Sequence, residues 1–313
     1  MTRILVTGAG GYIGSRLVEH LAAQPDVELR AAVRRPVSYL PDGTQVTLDL
    51  LGDETAMAHA CDGVDAVVHL AGANDAVAAA DPARALGETI EASRRLAAAV
   101  VTAGVGRLVY VSTVHVYGAR IVDGMVLTEE LVPEPRTIYA TARLASEHLV
   151  GAAATVGVEV VVLRLSNSVG APAAPAVDRW TLVASDLARQ AVRTGRLVLR
   201  TSGLQWRDFV ALGDVVEVLG RAATSSRPDP GTYNLGSGTP TTVRGLAELV
   251  AERFEARSGR RPELVAPPGD DVPPERYRLA VDRLAAQGFR PATPLADAVD
   301  ELVGFCIDNE DRL

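Results

Sequence analysis

The sequence predicts an α/β fold built on a doubly wound parallel sheet. Short β-branched runs alternate with longer Ala- and Leu-rich helical patterns through residues 1–165. The segments "VDAVVHLAG", "GRLVYVST" and "VEVVVLRLS" are almost continuously apolar, as expected for strands that helices cover on both faces. A glycine-rich turn follows the first apolar run directly. Alternation of strands and helices on this scale favours a doubly wound sheet.

The same patterns place the elements along the chain. Strands are expected at 3–7, 27–33, 45–48, 64–70, 107–111 and 158–164. Helices are expected at 13–23, 53–61, 82–103, 137–155, 179–195, 213–224, 242–257 and 294–306.

The composition of the chain changes after Ser166. Loop-rich segments such as "GAPAAPAVDRW" and the Pro-dense "RPELVAPPGDDVPPERYR" replace the regular alternation. We therefore expect a dinucleotide-binding domain at 1–165, to which 206–229 returns. A smaller, discontinuous substrate-binding lobe is expected from 166–205 and 230–313.

The composition also limits the class of protein. The chain has 313 residues, is 48% hydrophobic and carries a net charge of −8, which argues against nucleic-acid or anionic-membrane binding. No apolar run approaches the ~20 residues of a membrane span, and we expect no leader before the first strand. Cys61 and Cys306 lack CxxC spacing and the histidines are scattered, so neither a disulfide framework nor a metal site is indicated. We expect a cytoplasmic protein.

Lysine is absent from the whole chain. All 31 residues in the Lys+Arg total are arginines, although lysine is normally a common residue. This composition excludes Schiff-base catalysis, which requires a lysine amine. It also means that an arginine in place of a lysine at any one position does not indicate that function was lost at that position.

The glycine-rich turn lies in the segment "ILVTGAGGYIGSRLVEHL". In a strand–turn–helix of this kind, Gly8 permits the turn, Gly11 lets the backbone approach a pyrophosphate, and Gly14 allows close helix–strand packing. The helix N-terminus presents free N–H groups to phosphate. The pattern therefore predicts dinucleotide binding on a Rossmann fold.

Seven segments in order resemble the extended short-chain dehydrogenase/reductase family, of the NAD-dependent epimerase/dehydratase type. They are TGxxGxxG, "VTLDLLGD", "HLAG", "VSTVHVYG", "LRLSNSVG", "WRDFVALGDV" and "YNLGSGTPTTVRGLAEL". Members of this family include epimerases, dehydratases and reductases that act on nucleotide sugars. The resemblance covers most of the chain and is closest to the deoxysugar 4-ketoreductases, although it does not determine one reaction.

The resemblance implies a set of cofactor contacts. They are Gly8, Gly11, Tyr12, Ile13 and Gly14 in the glycine turn, the pair Asp49-Leu50 at the adenine, Leu70, Ala71 and Gly72 at the strand end, and Tyr139 with Arg143. Arg34 follows the second strand, where NAD enzymes of this architecture usually carry a carboxylate and an arginine accommodates a 2′-phosphate. NADP(H) is therefore favoured over NAD(H), although a guanidinium at Arg34 can also stack on adenine or stay in solvent.

The resemblance places a Ser/Thr, a Tyr and a cation beside the nicotinamide. Thr113 would hold the sugar oxygen and Tyr139 would act as general acid/base. Arg143, four residues later on the same helix face, takes the position of the family lysine. A nearby cation favours the ionised form of a phenol, whose ordinary pKa is about 10. Arginine keeps the charge but cannot copy the hydrogen bonds of lysine.

Three readings of this site stay open. The arginine can serve after local adjustment, which the absence of lysine favours. The site can be weakened or inactive. Tyr139 and Arg143 can also be a surface pair, with Arg143 forming a helix salt bridge to Glu147. A second departure concerns a family Asn in a proton relay, where Thr89 stands here.

The resemblance also bears on the reaction. Sugar 4,6-dehydratases carry Asp-Glu directly after the Thr, whereas this chain has Val114-His115, which disfavours dehydration. His115 can touch the sugar, or it can be an ordinary, partly exposed histidine. Asn167 and Arg207 match positions that contact the nucleotide diphosphate in relatives. Arg207 suits a diphosphate because its fork binds two oxygens; a salt bridge to Asp208 or Asp214 is the alternative.

These observations lead to one preferred function and two alternatives. We expect reduction of a dTDP-4-keto-6-deoxyhexose with NADPH. A UDP- or dTDP-hexose 4-epimerase is the second possibility, and a non-catalytic dinucleotide-binding sensor or scaffold is the third. The family commonly dimerises through helices that correspond to 82–103 and 137–155, so a homodimer is expected.

Overall fold

The fold was obtained as a computed structural model, which describes residues 1–269 and 275–313. Part of the Pro-dense segment noted above, residues 270–274, lies outside the described residues. The strands are β1 (Thr2–Thr7), β2 (Val27–Val33), β3 (Gln45–Thr47), β4 (Ala66–His69), β5 (Arg107–Thr113), β6 (Val126–Leu127), β7 (Glu159–Leu165), β8 (Asn167–Val169), β9 (Arg196–Val198), β10 (Trp206–Arg207), β11 (Phe209–Ala211), β12 (Gly231–Leu235), β13 (Thr241–Thr242), β14 (Glu263–Val265) and β15 (Arg278–Leu279).

The α-helices are α1 (Tyr12–Ala22), α2 (Glu54–Cys61), α3 (Asp75–Ala80), α4 (Pro82–Leu86), α5 (Ala92–Thr102), α6 (Ile138–Gly151), α7 (Val183–Thr194), α8 (Leu212–Thr224), α9 (Val243–Ser258), α10 (Asp282–Ala286) and α11 (Leu295–Asp308). A π-helical turn, Gly87–Glu91, connects α4 to α5, and 3₁₀ turns lie at Val114–Arg120, Ala152–Val156 and Glu310–Arg312. The helix predicted at 82–103 is thus helical throughout but contains one turn with i→i+5 hydrogen bonding.

The central sheet has seven parallel strands in the order β12-β7-β5-β4-β1-β2-β3. Chain order reverses between β1 and β4, so the chain winds outward from this point in both directions. The doubly wound, Rossmann-like α/β fold predicted from the sequence is confirmed. The segment 231–235, which we expected in the C-terminal lobe, forms the edge strand β12 beside β7. It pairs with β7 in parallel from Gly231 opposite Val161 to Leu235 opposite Leu165.

Helices cover both faces of the sheet. On one face, Leu17 and Leu21 of α1 and Leu219 of α8 pack into a core with the strands. On the other face, Leu96 of α5 and Val150 of α6 belong to a second core. The strands are therefore apolar on both sides, which explains their nearly continuous hydrophobic sequences.

A third core lies outside the central sheet. It joins α7, α9 and α11 through side chains such as Leu187, Leu246, Phe254 and Leu302. The short parallel pair β8 and β11 lies between this core and the sheet. Within residues 1–269 and 275–313, no helix has the length and apolar character required to cross a bilayer.

Candidate active site

A cleft of about 610 Å³ opens at the carboxyl ends of the neighbouring strands β1 and β4, where the chain order of the sheet reverses. The carboxyl ends of the strands form one wall, as in other doubly wound sheets. The chain between β8 and β10 forms much of the other wall. The predicted site residues that line the cleft are Gly8, Gly11, Tyr12, Ile13, Gly14, Leu70, Gly72, Thr113, His115, Tyr139, Arg143, Asn167 and Arg207.

The glycine turn after β1 is packed too closely for side chains. Gly8 has φ +72°, and a Cβ there would lie 2.8 Å from the backbone nitrogen of Ala71. A Cβ on Gly14 would lie 2.2 Å from the carbonyl oxygen of Gly8. Gly11 precedes α1 in extended conformation, and no side chain of the described residues caps this helix end. The first N–H groups of α1 therefore point into the cleft, where they can bind phosphate oxygens.

Tyr12 has a structural contact beyond its place in the glycine turn. Its hydroxyl donates a 2.8 Å hydrogen bond to the carbonyl oxygen of Gly170, and burial raises the pKa of the phenol well above its usual value. The bond ties the start of α1 to the end of β8, so the two walls of the cleft meet here.

The end of β4 is held by a buried histidine. His69 Nδ1 lies 2.7 Å from Thr7 Oγ1, and Nε2 lies 3.1 Å from Ser93 Oγ. Burial, together with the charge of Arg143, lowers the pKa of His69 to about 3. The imidazole is thus neutral at physiological pH and fixes the strand end from which Leu70, Ala71 and Gly72 continue.

Thr113, Tyr139 and Arg143 come together from two elements. Thr113 is the last residue of β5, is buried, and its Oγ1 accepts a 3.2 Å hydrogen bond from the backbone N–H of His115. Tyr139 lies in the first turn of α6, which Thr137 caps by accepting from the N–H of Ala140. Arg143 follows one turn later, and its Cζ lies 5.5 Å from the centre of the Tyr139 ring.

Arg143 is not a surface residue. It is 7% exposed, and its Nη1 lies 3.5 Å from the carbonyl oxygens of both Ala71 and Val111. Its Nε is buried without a partner among the described residues. The surface-pair alternative is therefore wrong, and the salt bridge to Glu147 that belonged to this alternative does not form.

Glu147 pairs instead with Arg164 of β7. Arg164 Nη2 lies 2.9 Å from Glu147 Oε2, and both side chains are 7% exposed. Ser112 Oγ also donates to Glu147, and Arg164 Nη1 donates to the hydroxyl of Tyr117. The Tyr117 hydroxyl in turn donates to Asn234 Oδ1 of β12 at 2.6 Å. The arginine inside the apolar run "VVVLRLS" was the sequence signal for this buried network.

Thr89 occupies a supporting position. It is buried in the π-helical turn, and its Oγ1 accepts a 3.0 Å hydrogen bond from the N–H of Ala73. Its carbonyl oxygen accepts from Ser93 and from Ser146 of α6. Thr89 thus joins α6 to the chain that follows β4.

Asn167 and Arg207 lie on the opposite wall. Asn167 Nδ2 donates to the carbonyl oxygen of Asp208 at 2.9 Å, and Arg207 Nη1 donates to that of Trp206 at 2.8 Å. The Asp208 carboxylate accepts from Ser166, Ser237 and Gly238, and Asp214 accepts from Ala292 and Thr293. The salt-bridge alternative for Arg207 is therefore wrong within the described residues.

His115 and a charged pair complete the cleft. The His115 ring is exposed in the cleft, with its centre 6.4 Å from that of Tyr139 in an edge-on arrangement. Arg179 Nη2 lies 2.6 Å from Asp75 Oδ1, and both residues line the cleft. This pair was not predicted from the sequence, because its residues are 104 positions apart in the chain and neither belongs to a recognised motif.

Four predicted cofactor residues do not line this cleft. One of them is Ala71, which lies between the lining residues Leu70 and Gly72. Arg34 follows β2 and is exposed, Asp49 is exposed and accepts a hydrogen bond from the N–H of Leu51, and Leu50 packs on the core under α2. Tyr39 donates a 2.7 Å hydrogen bond to the carbonyl oxygen of Gly10. The chain after β2 therefore lies against the glycine turn.

Comparison with known proteins gives a consistent result. The model of the NAD dependent epimerase/dehydratase family matches residues 4–236. The dTDP-6-deoxy-L-talose 4-dehydrogenase (NAD(P)(+)) of Kitasatospora kifunensis is 32% identical over 310 residues, which cover 96% of this chain and 94% of the relative. The GDP-6-deoxy-D-mannose reductase of Pseudomonas aeruginosa is 31% identical over 261 residues, covering 80% and 79%.

A solved structure shares the whole fold. MoeE5 in complex with UDP-glucose and NAD has a TM-score of 0.82 and 26% sequence identity to this chain. The match covers 98% of this chain and 99% of MoeE5.

No group of three or more His, Cys, Asp or Glu residues with metal-binding geometry occurs in residues 1–269 and 275–313.

Proposed function

The chain belongs to the NAD dependent epimerase/dehydratase family, and from that premise we propose that it is an NADP-dependent 4-ketoreductase. Its substrate would be a nucleotide-activated sugar, a dTDP-4-keto-6-deoxyhexose. One observation carries the proposal: Thr113, Tyr139 and Arg143 line the same cleft as the glycine turn. The names of the two relatives, a dehydrogenase and a reductase of nucleotide deoxysugars, support it.

The glycine turn fits a dinucleotide. The space that side chains on Gly8 and Gly14 would fill is closed by backbone, and the uncapped N-terminus of α1 suits a pyrophosphate. The exposed guanidinium of Arg34 supports NADP, because an arginine at this strand end accommodates a 2′-phosphate. The bound nicotinamide would supply or accept a hydride at C4 of the sugar.

Side chains of this protein would carry out the proton transfer. The Thr113 hydroxyl would hydrogen-bond the carbonyl oxygen at C4, and the Tyr139 hydroxyl would donate a proton to that oxygen as it becomes an alcohol. The Arg143 charge, 5.5 Å from the Tyr139 ring, would stabilise the tyrosinate left behind. Because the Tyr139 side chain is half-buried, its phenolate would then take up a proton from solvent.

The opposite wall suits a nucleoside diphosphate. Arg207 lines the cleft and has no carboxylate partner among the described residues. A guanidinium in that state can bind phosphate oxygens in a bidentate manner. Asn167, fixed by its bond to the Asp208 carbonyl, would contact the same part of the substrate.

A 4-epimerase is the second candidate. The same three groups could remove hydride and a proton from the C4 alcohol and return them on the other face. The complex of MoeE5 with UDP-glucose and NAD supports this alternative through the shared fold. Val114 and His115 follow Thr113 where the dehydratases carry an acidic pair, so dehydration has less support.

The test is turnover of purified protein with NADPH and a dTDP-4-keto-6-deoxyhexose. We expect stoichiometric loss of NADPH absorbance and a 6-deoxyhexose product, with slower turnover when NADH replaces NADPH. Protein that is purified with one bound NAD per chain, interconverts C4 epimers and leaves NADPH unconsumed would be an epimerase. Binding of NADPH without turnover of any sugar would support a sensor or scaffold.

A further inference from the structure

The guanidinium of Arg143 lies directly against Gly72. A Cβ on Gly72 would lie 3.1 Å from Nη2, 3.2 Å from Cζ and 3.2 Å from Nη1. Carbon atoms in good contact with such groups lie about 3.5–4.0 Å away. Any side chain at this position would therefore displace the guanidinium by a few tenths of an ångström. The φ of Gly72 is +145°, which also favours glycine.

Backbone oxygens form the rest of this slot. Nη1 lies 3.5 Å from the carbonyl oxygens of Ala71 and Val111, which belong to the chain after β4 and to β5. Tyr110 precedes Val111 on β5, and its hydroxyl is buried without a partner among the described residues. Burial raises the pKa of this phenol, and the Arg143 charge opposes that rise. The slot thus offers partial negative charge on two sides and close packing on a third.

We propose that Gly72 is a positioning residue for Arg143, whose missing side chain creates the slot that lets an arginine serve as the cation beside Tyr139. This inference rests on the proposed function of Tyr139 and Arg143. A guanidinium is planar and reaches further than an ammonium group. Unless it turned back under Gly72, it would extend into the space that the cofactor and substrate need.

The test is a double-mutant cycle with Gly72→Ala and Arg143→Lys, each alone and combined. In the Arg143 protein, Gly72→Ala should reduce NADPH affinity and kcat/KM by roughly tenfold to a hundredfold, because a displaced catalytic group is costly. In the Arg143→Lys protein, Gly72→Ala should reduce NADPH affinity and kcat/KM by no more than about twofold, apart from the effect of backbone strain. The two sites would then be independent of each other. Equal losses in both backgrounds would overturn the inference.

The division of the loss between kcat and KM separates positioning from general damage. In the proposed reaction the guanidinium acts on Tyr139 and not on the sugar. Gly72→Ala should therefore lower kcat and leave KM for the sugar nearly unchanged. A loss confined to KM would contradict the proposal.

Gly157→Ala is the matched control for backbone strain. Gly157 has φ +96°, and no atom lies within 4 Å of the position of its Cβ. It is placed in the turn before β7, so the substitution should lower the free energy of unfolding without changing NADPH affinity.

The free energies of unfolding of the unliganded single and double variants measure the coupling between Gly72 and Arg143. This measurement is possible even if the wild-type protein fails to bind NADPH. If NADPH does not bind, the proposed function is wrong, but the unfolding data still test whether Gly72 positions Arg143.

A second variant covers a Gly72→Ala protein that does not fold. Arg143→Ala removes the side chain and leaves the slot open. Ethylguanidinium, added at concentrations below those that denature proteins, should restore NADPH affinity and turnover, whereas propylammonium should not. Equal rescue by the two cations, or rescue by neither, would overturn the proposal.

Discussion

Glu147 of α6 and Arg164 of β7 form a buried ion pair in which Nη2 of the arginine lies 2.9 Å from Oε2 of the carboxylate. Tyr117 and Ser112 add hydrogen bonds to the two partners. The pair fastens the middle of α6 to the sheet. Because α6 also carries Tyr139 and Arg143, this contact fixes the height of both side chains above the strand ends.

We predict that Glu147→Gln is strongly destabilising. The neutral amide leaves the buried Arg164 charge without its counter-ion, and breaking a buried pair in this way costs about 3–5 kcal/mol. Urea denaturation measures the change in the free energy of unfolding. Glu263→Gln is the control, since Glu263 and Arg196 form a pair whose side chains are 65% and 53% exposed. Similar, small effects of both substitutions would show that the buried pair contributes little.

We predict that Tyr139→Phe abolishes most turnover and preserves dinucleotide binding. Loss of a general acid lowers the rate by about 10²–10⁴-fold, whereas the ring and its packing remain. Steady-state kinetics and a titration with NADPH measure the two effects separately. Tyr233→Phe is the control, because its hydroxyl donates to the carbonyl oxygen of Asp229 at the sheet edge. Wild-type kcat in Tyr139→Phe would exclude the proposed proton donor.

We predict that Arg207→Gln raises KM for the nucleotide sugar and leaves NADPH affinity unchanged. Hydrogen bonds to charged groups contribute about 1.5–3 kcal/mol, so KM should rise by roughly ten- to a hundredfold. Arg196→Gln, at an exposed position of β9, should change neither value. An unchanged KM for Arg207→Gln would place the diphosphate elsewhere.

We predict that the stability of the protein falls as the pH is lowered through the acid range. His69 has a folded pKa of about 3 and an ordinary value of 6.5. Between these values the unfolded chain binds a proton that the folded chain does not, so this group lowers the free energy of unfolding by about 1.4 kcal/mol per pH unit. His69→Gln should flatten the slope, although it is less stable at neutral pH. His59→Gln, at an exposed position, should keep the wild-type slope; equal slopes in both variants would contradict this assignment.

The central fold could be predicted because its signals are local. Apolar β-branched runs predicted strands near their observed bounds, and the glycine spacing placed the turn after β1. The strand β12 was not assigned to the sheet, since a five-residue run after a loop-rich stretch does not state which edge it joins. Sheet order is decided by tertiary packing, which no single segment encodes.

The candidate site could be predicted in part. The spacing of Tyr139 and Arg143 indicated a shared helix face, and the resemblance supplied Thr113. The alternative of a surface salt bridge between Arg143 and Glu147 followed from helical spacing. It is excluded, because the buried Arg164 binds that carboxylate. The contact between Arg143 and Gly72 depends on where the end of β4 lies, and local sequence does not give that distance.

The ion pair between Asp75 and Arg179 joins residues 104 positions apart in the chain. The Asp75 side chain is 59% exposed, so dissolved salt screens part of the attraction. Arg179 belongs to the chain between β8 and α7, while Asp75 begins the helix after β4. The residence time of a ligand held between these two segments would therefore shorten as ionic strength rises, with its chemistry unaltered.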